Sequence, residues 1–168
     1  MICGDSTLWK PSWKTPLTAI AMTKVAAKVL EPEGYGAVLS MVVGPDQEVG
    51  EALTGDPRIP LVSATGSCRM GAQIAAAVHP RFGRTILELG GNNGMLVTPS
   101  ADLELAVRSI VFAAVGTCGQ RCTTLRRLIV HQSLADELRD RLLKVYRGLP
   151  IGDPTQDGIL VGPLIDEE

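Results

Sequence analysis

The chain has 168 residues, of which 45% are hydrophobic and 20% are charged, a composition typical of a globular protein and unlike that of a disordered segment. Its formal net charge of -2 gives no electrostatic reason to expect a nucleic acid or an anionic membrane as a partner. The apolar runs are short and interrupted by Gly, Pro or charged residues, so none approaches the roughly 20 residues that a membrane-spanning helix needs.

The cysteines are irregularly spaced and the chain has only two histidines, so neither a zinc site nor a disulfide framework is predicted. Free thiols indicate a reducing compartment. Residues 1–5 lack the basic region of a signal peptide. The expected location is therefore the cytoplasm. The cysteines are Cys3, Cys68, Cys118 and Cys122.

Strands and helices are predicted to alternate along the first half of the chain. A strand at 6–10 ends before a proline, and Thr15-Pro16 supplies the N-cap and the first-turn proline of a helix. The remaining elements of this half are strands at 37–43 and 59–64 and helices at 47–53 and after Ser67. The stripe of the first helix that is predicted to face inward consists of Met22, Val25, Ala26 and Val29.

The second half continues the same alternation. Strands are predicted at 85–89, 95–98 and 125–131, and helices at 102–115 and from a Ser133 cap onward. Such alternation is typical of an α/β protein with an open, mostly parallel sheet and helices on both faces. Ligands of such folds bind beyond the carboxyl ends of the strands.

Thr65-Gly66-Ser67 joins a predicted strand to a predicted helix. Its backbone N–H groups, the positive end of the helix dipole and the Ser67 hydroxyl could hold a phosphate. The alternative is that Ser67 only caps the helix. Lys10, at the carboxyl end of its strand, could reach a ribose or a phosphate, and the alternative there is a solvated lysine.

Two further residues are candidates for chemistry. Glu88 lies in the apolar run 85–89, where an unpaired carboxylate is costly to bury. Cys122 follows Arg121 in a glycine-rich polar turn, where a cation and backbone N–H groups favour the thiolate. The alternatives are that local N–H groups satisfy Glu88, that Cys122 is a small buried hydrophobe, and that Cys118 and Cys122 form a redox pair.

Four motifs together resemble the NAD(P)-dependent aldehyde dehydrogenase superfamily. The separation 122 − 88 = 34 matches the spacing between general base and nucleophile in that family. The resemblance extends from about Ser6 to Leu164, and residues 87–93 with 120–124 are most similar to the antiquitin branch, which oxidises α-aminoadipic semialdehyde. The motifs are Lys10-Pro11-Ser12, Thr65-Gly66-Ser67, Glu88-Leu89-Gly90-Gly91 and Gly119-Gln120-Arg121-Cys122.

The resemblance implies a partial Rossmann-like NAD(P)-binding domain at 1–90 and the start of an α/β catalytic domain at 91–168. It implies that an aldehyde is oxidised to its carboxylic acid with NAD, NADP being left open, through a thioester on Cys122 that Glu88-activated water hydrolyses. It also implies a homo-oligomer, a dimer or a tetramer, with no nucleic-acid or membrane partner. The implied cofactor contacts are Lys10, Gly66, Ser67, Leu89 and Gly90, and the implied substrate contact is Arg121.

The same resemblance predicts that the chain covers about a third of such an enzyme. The family's oxyanion asparagine is expected before Met1, and its second ribose-binding glutamate after Glu168. The competing hypothesis is a truncated, catalytically silent nucleotide-binding fragment. A third hypothesis is a thiol redox protein that uses Cys118 and Cys122.

Overall fold

The architecture comes from a computed structural model, which describes residues 4–167. Cys3, and the part of the signal-peptide prediction that concerns residues 1–3, lie outside this range. The described chain forms two compact units, which meet between Glu88 and Leu89. The predicted boundary lies two residues further along, and the cofactor-binding and catalytic roles of the two parts stay predictions.

The described residues confirm an α/β chain whose strands form three two-stranded sheets, β1 with β2, β3 with β4 and β5 with β6. The pairing is parallel in the first and third of these sheets. In the described part of the chain, no helix is both long and apolar enough to cross a membrane. The strands are β1 (Thr7–Trp9), β2 (Leu39–Met41), β3 (Leu61–Gly66), β4 (Arg84–Leu89), β5 (Asn93–Val97) and β6 (Leu125–Val130).

The helices begin and end close to the positions that the sequence predicts. Pro16 stands in the first turn of α1, and Asp102 caps α4 by accepting from the backbone N–H groups of Glu104 and Leu105 at 2.9 and 3.1 Å. The helices are α1 (Pro16–Leu30), α2 (Glu51–Gly55), α3 (Cys68–Val78), α4 (Leu103–Val115) and α5 (Ala135–Arg147).

The predicted inward stripe of α1 is wrong at three of its four residues, and Ala26 is half-buried. Met22, Val25 and Val29 are exposed, whereas Ala19 is buried. The Thr23 hydroxyl, on the same face as Ala19, lies 3.5 Å from the sulfur of Met41 in β2. The face of α1 that carries Ala19 and Thr23 is therefore the one turned toward β2.

Three other local predictions differ from the structure. The strand at 37–43 begins with a 3-10 turn, so that only its middle is extended. The helix at 47–53 begins with a π-helical turn at Asp46–Gly50. Ser133 does not cap α5: a 3-10 turn precedes that helix, and there the His131 ring nitrogen Nδ1 accepts from the Ser133 backbone N–H at 3.3 Å.

The second unit, residues 89–167, has its core between the β5–β6 sheet and helices α4 and α5. Val97, Ile110 and Leu138 are each buried and form one cluster, one residue from each of β5, α4 and α5. Because β5 and β6 are parallel, their carboxyl ends lie at one edge of this sheet and their amino ends at the other. The loop that carries Cys122 leads into the amino end of β6.

Candidate active site

The turn that carries Cys122 follows α4 through a strained segment. The 3-10 turn Gly116–Gly119 contains three consecutive residues in the left-handed region, Thr117 at φ 53°, Cys118 at φ 56° and Gly119 at φ 73°. Such a conformation costs of order 1–3 kcal/mol for each non-glycine residue and persists only where the surroundings impose it. The chain therefore reverses sharply between the end of α4 and the nucleophile candidate.

Hydrogen bonds close the turn around Cys122. The Arg121 N–H donates to the Thr124 hydroxyl at 3.1 Å, and the Thr124 N–H donates to the Arg121 carbonyl at 3.2 Å. Thr124 is buried, whereas Cys122 is an exposed free thiol. The alternative that Cys122 is a buried hydrophobe is therefore wrong. Cys118 is also a free thiol.

The side chain of Asn93, the first residue of β5, fixes the same turn from the other strand. Its amide Nδ2 donates to the Cys122 carbonyl at 2.6 Å and to the Thr124 carbonyl at 2.9 Å. A Cβ on Gly91 would lie 2.8 Å from Asn93 Oδ1, so the second glycine of the Gly-Gly pair leaves room for this amide. The glycine-rich stretch and the cysteine turn are thus joined through Asn93.

Two neighbours of Cys122 hold the segment 162–165. The Cys118 thiol donates to the Gly162 carbonyl at 3.1 Å, and the Gln120 side-chain oxygen accepts from the Ile165 N–H at 3.0 Å. The Gln120 side-chain amide also donates to the Thr117 carbonyl at 3.2 Å. Residues that flank the nucleophile candidate therefore anchor a loop 40 or more positions later in the chain.

The Arg121 guanidinium contacts its own turn and the end of α4. Its Nε donates to the Thr117 hydroxyl at 2.8 Å, and the guanidinium carbon lies 5.8 Å from the centre of the Phe112 ring. A Cβ on Gly116 would lie 3.3 Å from an Arg121 terminal nitrogen. These contacts hold the guanidinium against the turn, and its role as a substrate contact stays a prediction.

Glu88 occupies an exposed position of β4, where it alternates with the half-buried Leu87 and Leu89. The prediction that burial surrounds this carboxylate with apolar side chains is wrong for the described chain, because period-two alternation turns Glu88 to the outward face of the strand. Leu89 ends β4, and Gly90 follows it in an exposed position.

The Thr65-Gly66-Ser67 motif ends β3 and begins α3. The Ser67 hydroxyl accepts from the Met70 N–H at 3.1 Å, so the capping alternative describes an observed contact. A Cβ on Gly66 would lie 2.6 Å from the sulfur of Met70, so that Gly66 is tightly packed against the first turn of the helix. The amino end of an 11-residue helix, with its positive dipole, opens directly after the strand.

Lys10 is not the solvated lysine of the alternative prediction. Its side chain is 14% exposed, and its Nζ lies 2.5 Å from Oδ1 of Asp46, the first residue of the π-helical turn. The Lys10 Cε also lies 3.7 Å from the position of a Cβ on Gly50. Lys10 is thus packed at the carboxyl end of β1 with its ammonium group directed to a carboxylate.

The comparisons with known proteins agree on the kind of chain this is. A family model described as "Aldehyde dehydrogenase family" matches residues 1–168. The chain belongs to the aldehyde dehydrogenase family.

Curated relatives narrow the likeness within this family. The chain is 50% identical to the putative aldehyde dehydrogenase family 7 member A1 homolog of Dictyostelium discoideum, over 98% of this chain and 32% of the relative. It is 48% identical to the alpha-aminoadipic semialdehyde dehydrogenase of Bos taurus, over 98% of this chain and 30% of the relative. The chain thus spans about a third of the length of these relatives.

Solved structures of aldehyde dehydrogenases share the fold. The lactaldehyde dehydrogenase of Escherichia coli superimposes with a TM-score of 0.91 at 35% identity, over 98% of this chain and 34% of that chain. The betaine aldehyde dehydrogenase of Staphylococcus aureus, solved in complex with NAD+, superimposes with a TM-score of 0.89 at 29% identity, over 96% of this chain and 31% of that chain.

Sequence reasoning missed two residues of this candidate site. Asn93 and Thr124 both contact the Cys122 turn, yet neither was a candidate. The signals in the sequence were the second of two asparagines after Gly-Gly and the second of two threonines directly before a strand. Thr124 contacts Arg121, three residues earlier, and Asn93 contacts Cys122, 29 residues later. The contact of Asn93 forms only in the folded chain.

Proposed function

We propose that this chain contributes to the NAD+-dependent oxidation of an aldehyde to its carboxylic acid, with Cys122 as the nucleophile. The observation that carries the proposal is the exposed free thiol of Cys122 in a turn closed by Asn93 and Thr124, within a chain of the aldehyde dehydrogenase family. An accessible thiol on a turn that hydrogen bonds hold in place can act as a nucleophile toward a carbonyl carbon.

In the proposed reaction the Cys122 sulfur bonds to the carbonyl carbon of the aldehyde, and the carbonyl oxygen takes the negative charge. The backbone N–H of Cys122 donates a hydrogen bond to that oxygen, as in other acyl-transfer sites. Bound NAD+ would accept the hydride that leaves the same carbon. The carbon remains attached to Cys122 as a thioester, which water then hydrolyses to the acid and the free thiol.

Glu88 is proposed as the general base that takes a proton from this water. A carboxylate can serve in that way when it lies within hydrogen-bond reach of the water. The support is the Glu-Leu-Gly-Gly motif and the separation of 34 residues from Cys122, rather than a contact within the described chain. A base at Glu88 favours release of a free acid over transfer of the acyl group to another thiol.

The proposed cofactor site uses the carboxyl ends of β1 and β3. The amino end of α3, with Gly66 and Ser67, suits a pyrophosphate because its dipole and N–H groups attract anions. Lys10 suits a ribose hydroxyl, since its ammonium group donates to Asp46 and to the Pro11 carbonyl and retains a third N–H. Leu89 and Gly90 are proposed to line the nicotinamide side. The observations that support this fit are the capped helix start and the half-buried lysine.

The proposed substrate is α-aminoadipic semialdehyde, because the bovine relative carries that name at 48% identity. Arg121 is the proposed contact for a substrate carboxylate. Such a contact would compete with the hydrogen bond from Arg121 Nε to the Thr117 hydroxyl. We further propose a cytoplasmic location and a homo-oligomeric parent, with no nucleic-acid or membrane partner.

The experiment is to incubate the 168-residue chain with NAD+ and an aldehyde and to measure NADH absorbance and the mass of each cysteine-containing peptide. We expect an acyl adduct on the Cys122 peptide, lost in Cys122→Ser and retained in Cys118→Ser. The Glu88→Gln variant should accumulate the adduct without turning over. An adduct that persists in Cys122→Ser and disappears in Cys118→Ser would move the nucleophile to Cys118.

A second candidate function is nucleotide binding without catalysis. The observation that favours it is the Ser67-capped start of α3, which lies in the first unit and does not involve Cys122. Thermal denaturation with and without NAD+ separates the two candidates. A stabilised chain that forms neither NADH nor an adduct would be a binder, and a reversible Cys118–Cys122 disulfide detected by mass spectrometry would instead indicate a redox protein.

A further inference from the structure

The Asn93 side chain makes a bidentate contact with the nucleophile turn. Its Nδ2 donates to the Cys122 carbonyl at 2.6 Å and to the Thr124 carbonyl at 2.9 Å. A primary amide nitrogen carries two hydrogens, so each carbonyl can receive its own hydrogen bond. The contact with the Thr124 carbonyl is half-buried, where water competes less for the hydrogen bond, and the contact with the Cys122 carbonyl is exposed.

The contact continues the β5–β6 pairing where the backbone ladder becomes irregular. Asn93 pairs with Leu125, the first residue of β6, and the register shifts between Asn93 and Gly94. The Cys122 and Thr124 carbonyls precede Leu125 in the chain. The side chain of Asn93 therefore hydrogen-bonds β5 to the Cys122 turn, beyond the end of the backbone ladder.

Two hydrogen bonds restrain both peptide planes that flank the Cα atom of Cys122. The Arg121 carbonyl accepts from the Thr124 N–H at 3.2 Å, which fixes the plane that contains the Cys122 N–H. The Cys122 carbonyl accepts from Asn93, which fixes the next plane. Because each peptide unit is planar, these bonds together set the direction of the Cys122 N–H and of its Cα–Cβ bond.

We propose that Asn93 is a positioning residue, which aims the Cys122 backbone N–H at the oxygen of the reacting carbonyl. The inference rests on the proposed function, in which that N–H stabilises the oxyanion. Preorganised donors act because they already point to the place where charge develops. Gly91 contributes to this positioning because it leaves space for the Asn93 amide: a Cβ at residue 91 would lie 2.8 Å from Asn93 Oδ1.

The test compares two reactions of Cys122 in the 168-residue chain. Adduct formation with an aldehyde in the presence of NAD+ develops negative charge on oxygen, whereas alkylation by iodoacetamide displaces iodide and forms no oxyanion. A positioning residue for the N–H should affect the first reaction and spare the second. A residue that merely maintains the fold would change both reactions in the same variants.

The variants are Asn93→Asp, Asn93→Ala and Gly91→Ala. Asn93→Asp keeps the size of the side chain but sets a carboxylate against two carbonyls, and Gly91→Ala displaces the amide without changing Asn93. The matched control is Asn92→Asp, which makes the same charge change one residue earlier, where the hydrogen bonds with Arg127 use the backbone carbonyl.

We expect the rate of aldehyde adduct formation to fall about tenfold in the three variants. This loss is smaller than the 10²–10³ loss of rate that follows complete removal of an oxyanion donor. Alkylation of Cys122 should stay within about twofold of the unsubstituted chain, as should both reactions of Asn92→Asp. Equal losses in both reactions, or no loss of the aldehyde reaction, would overturn the inference.

Hydrogen exchange tests the inference without the aldehyde reaction. If the unsubstituted chain forms no aldehyde adduct, that result counts against the proposed function, and the exchange measurement still tests the role of Asn93. The amides at 121–124 should exchange faster in Asn93→Asp and Asn93→Ala, while those at 95–97 in β5 keep their protection. Unchanged exchange at 121–124 would show that Asn93 does not restrain the turn. The two proposals can therefore fail separately.

Discussion

Thr124 closes the nucleophile turn with both its backbone and its side chain. Only 3% of its surface is exposed, and its hydroxyl accepts from the Arg121 N–H at 3.1 Å. This hydrogen bond is part-buried, so an Arg121 N–H that lost its acceptor would regain only part of its hydration. This threonine therefore couples the stability of the second unit to the conformation of the residue before Cys122.

Thr124→Val should destabilise the chain by about 1–3 kcal/mol, because the valine fills the same space but leaves the Arg121 N–H without its acceptor. Urea unfolding followed by circular dichroism measures the change. Thr123→Val is the matched control, since Thr123 is exposed. An equal effect at the two positions would show that the hydroxyl of Thr124 is not the cause.

Asp56 and Arg58 form a local ion pair in the loop that follows α2. The Arg58 side chain donates to both carboxylate oxygens of Asp56, at 2.5 to 3.1 Å. These side-chain hydrogen bonds, and then the backbone hydrogen bond from the Arg58 N–H, lower the pKa of Asp56 from 3.8 to about 2. The folded chain thus holds the carboxylate in its charged form more strongly than the unfolded chain does.

The stabilisation from this pair should be complete above about pH 4 and should disappear as the pH falls toward 2, because a depressed folded-state pKa favours the native state only while the carboxylate is ionised. Arg58→Gln should flatten the pH dependence of the urea midpoint in that window. Arg69→Gln removes the same charge elsewhere in the first unit and should leave the slope unchanged. A slope unaffected by Arg58→Gln would contradict the assignment.

At the scale of elements, helix α4 connects the core of the second unit to the nucleophile turn. Ile110 of this helix is buried against Val97 and Leu138, and the helix ends at Val115, one residue before the left-handed segment. The Asp102 carboxylate caps its amino end through the N–H groups of Glu104 and Leu105. The Asp102 cap therefore stabilises helix α4, which leads into the turn that carries Cys122.

Asp102→Ala should reduce stability by about 0.5–2 kcal/mol, because two helix N–H groups lose their acceptor and the dipole loses a favourable charge. Asp102→Asn should recover most of the loss, since an amide oxygen also caps. Thermal denaturation of the three proteins makes the comparison. If the asparagine variant were as unstable as the alanine variant, the cap hydrogen bonds would not account for the effect.

Two helices illustrate how far sequence patterns reach. The bounds of α4 were predicted to within one residue, at 102–115, because the signals for the start and end of a helix lie within a single turn. The inward face of α1 was predicted wrongly, because both a large apolar stripe and a stripe of small residues fit the helical period. The neighbouring strand, which accommodates Ala19 and Thr23, decided between them.

At the scale of the whole molecule, the described residues expose many large apolar side chains. Leu96 and Ile129 are direct neighbours across the β5–β6 ladder and are 70% and 51% exposed. They lie on the face of the sheet opposite Val97 and Val130, which pack in or against the core. An apolar patch of this kind attracts other apolar molecules.

The chain should therefore bind the dye anilinonaphthalene sulfonate, and the double variant Leu96→Thr with Ile129→Thr should bind less of it. Fluorescence titration measures the difference. Its stability should change little, whereas the control Val97→Thr, which buries a hydroxyl in the same strand, should lose about 1–3 kcal/mol. Undiminished dye fluorescence in the double variant would place the binding surface elsewhere.

The sequence by itself determined the α/β class, most element positions and the family, because these depend on short-range periodicity, on capping residues and on motifs of a few adjacent residues. It also identified Cys122 as the candidate nucleophile. The tertiary structure alone decided that Cys122 is exposed, that Glu88 faces outward and that Lys10 is paired with Asp46.

Tertiary structure also provided the contacts of Asn93 with the cysteine turn. The physical reason is sequence separation. A residue's local pattern fixes its dihedral angles and its position on an element, but a hydrogen bond across 29 residues exists only after two strands have paired in one register. The nucleophile candidate was therefore predicted from the sequence, whereas the residue that hydrogen-bonds to its turn was not.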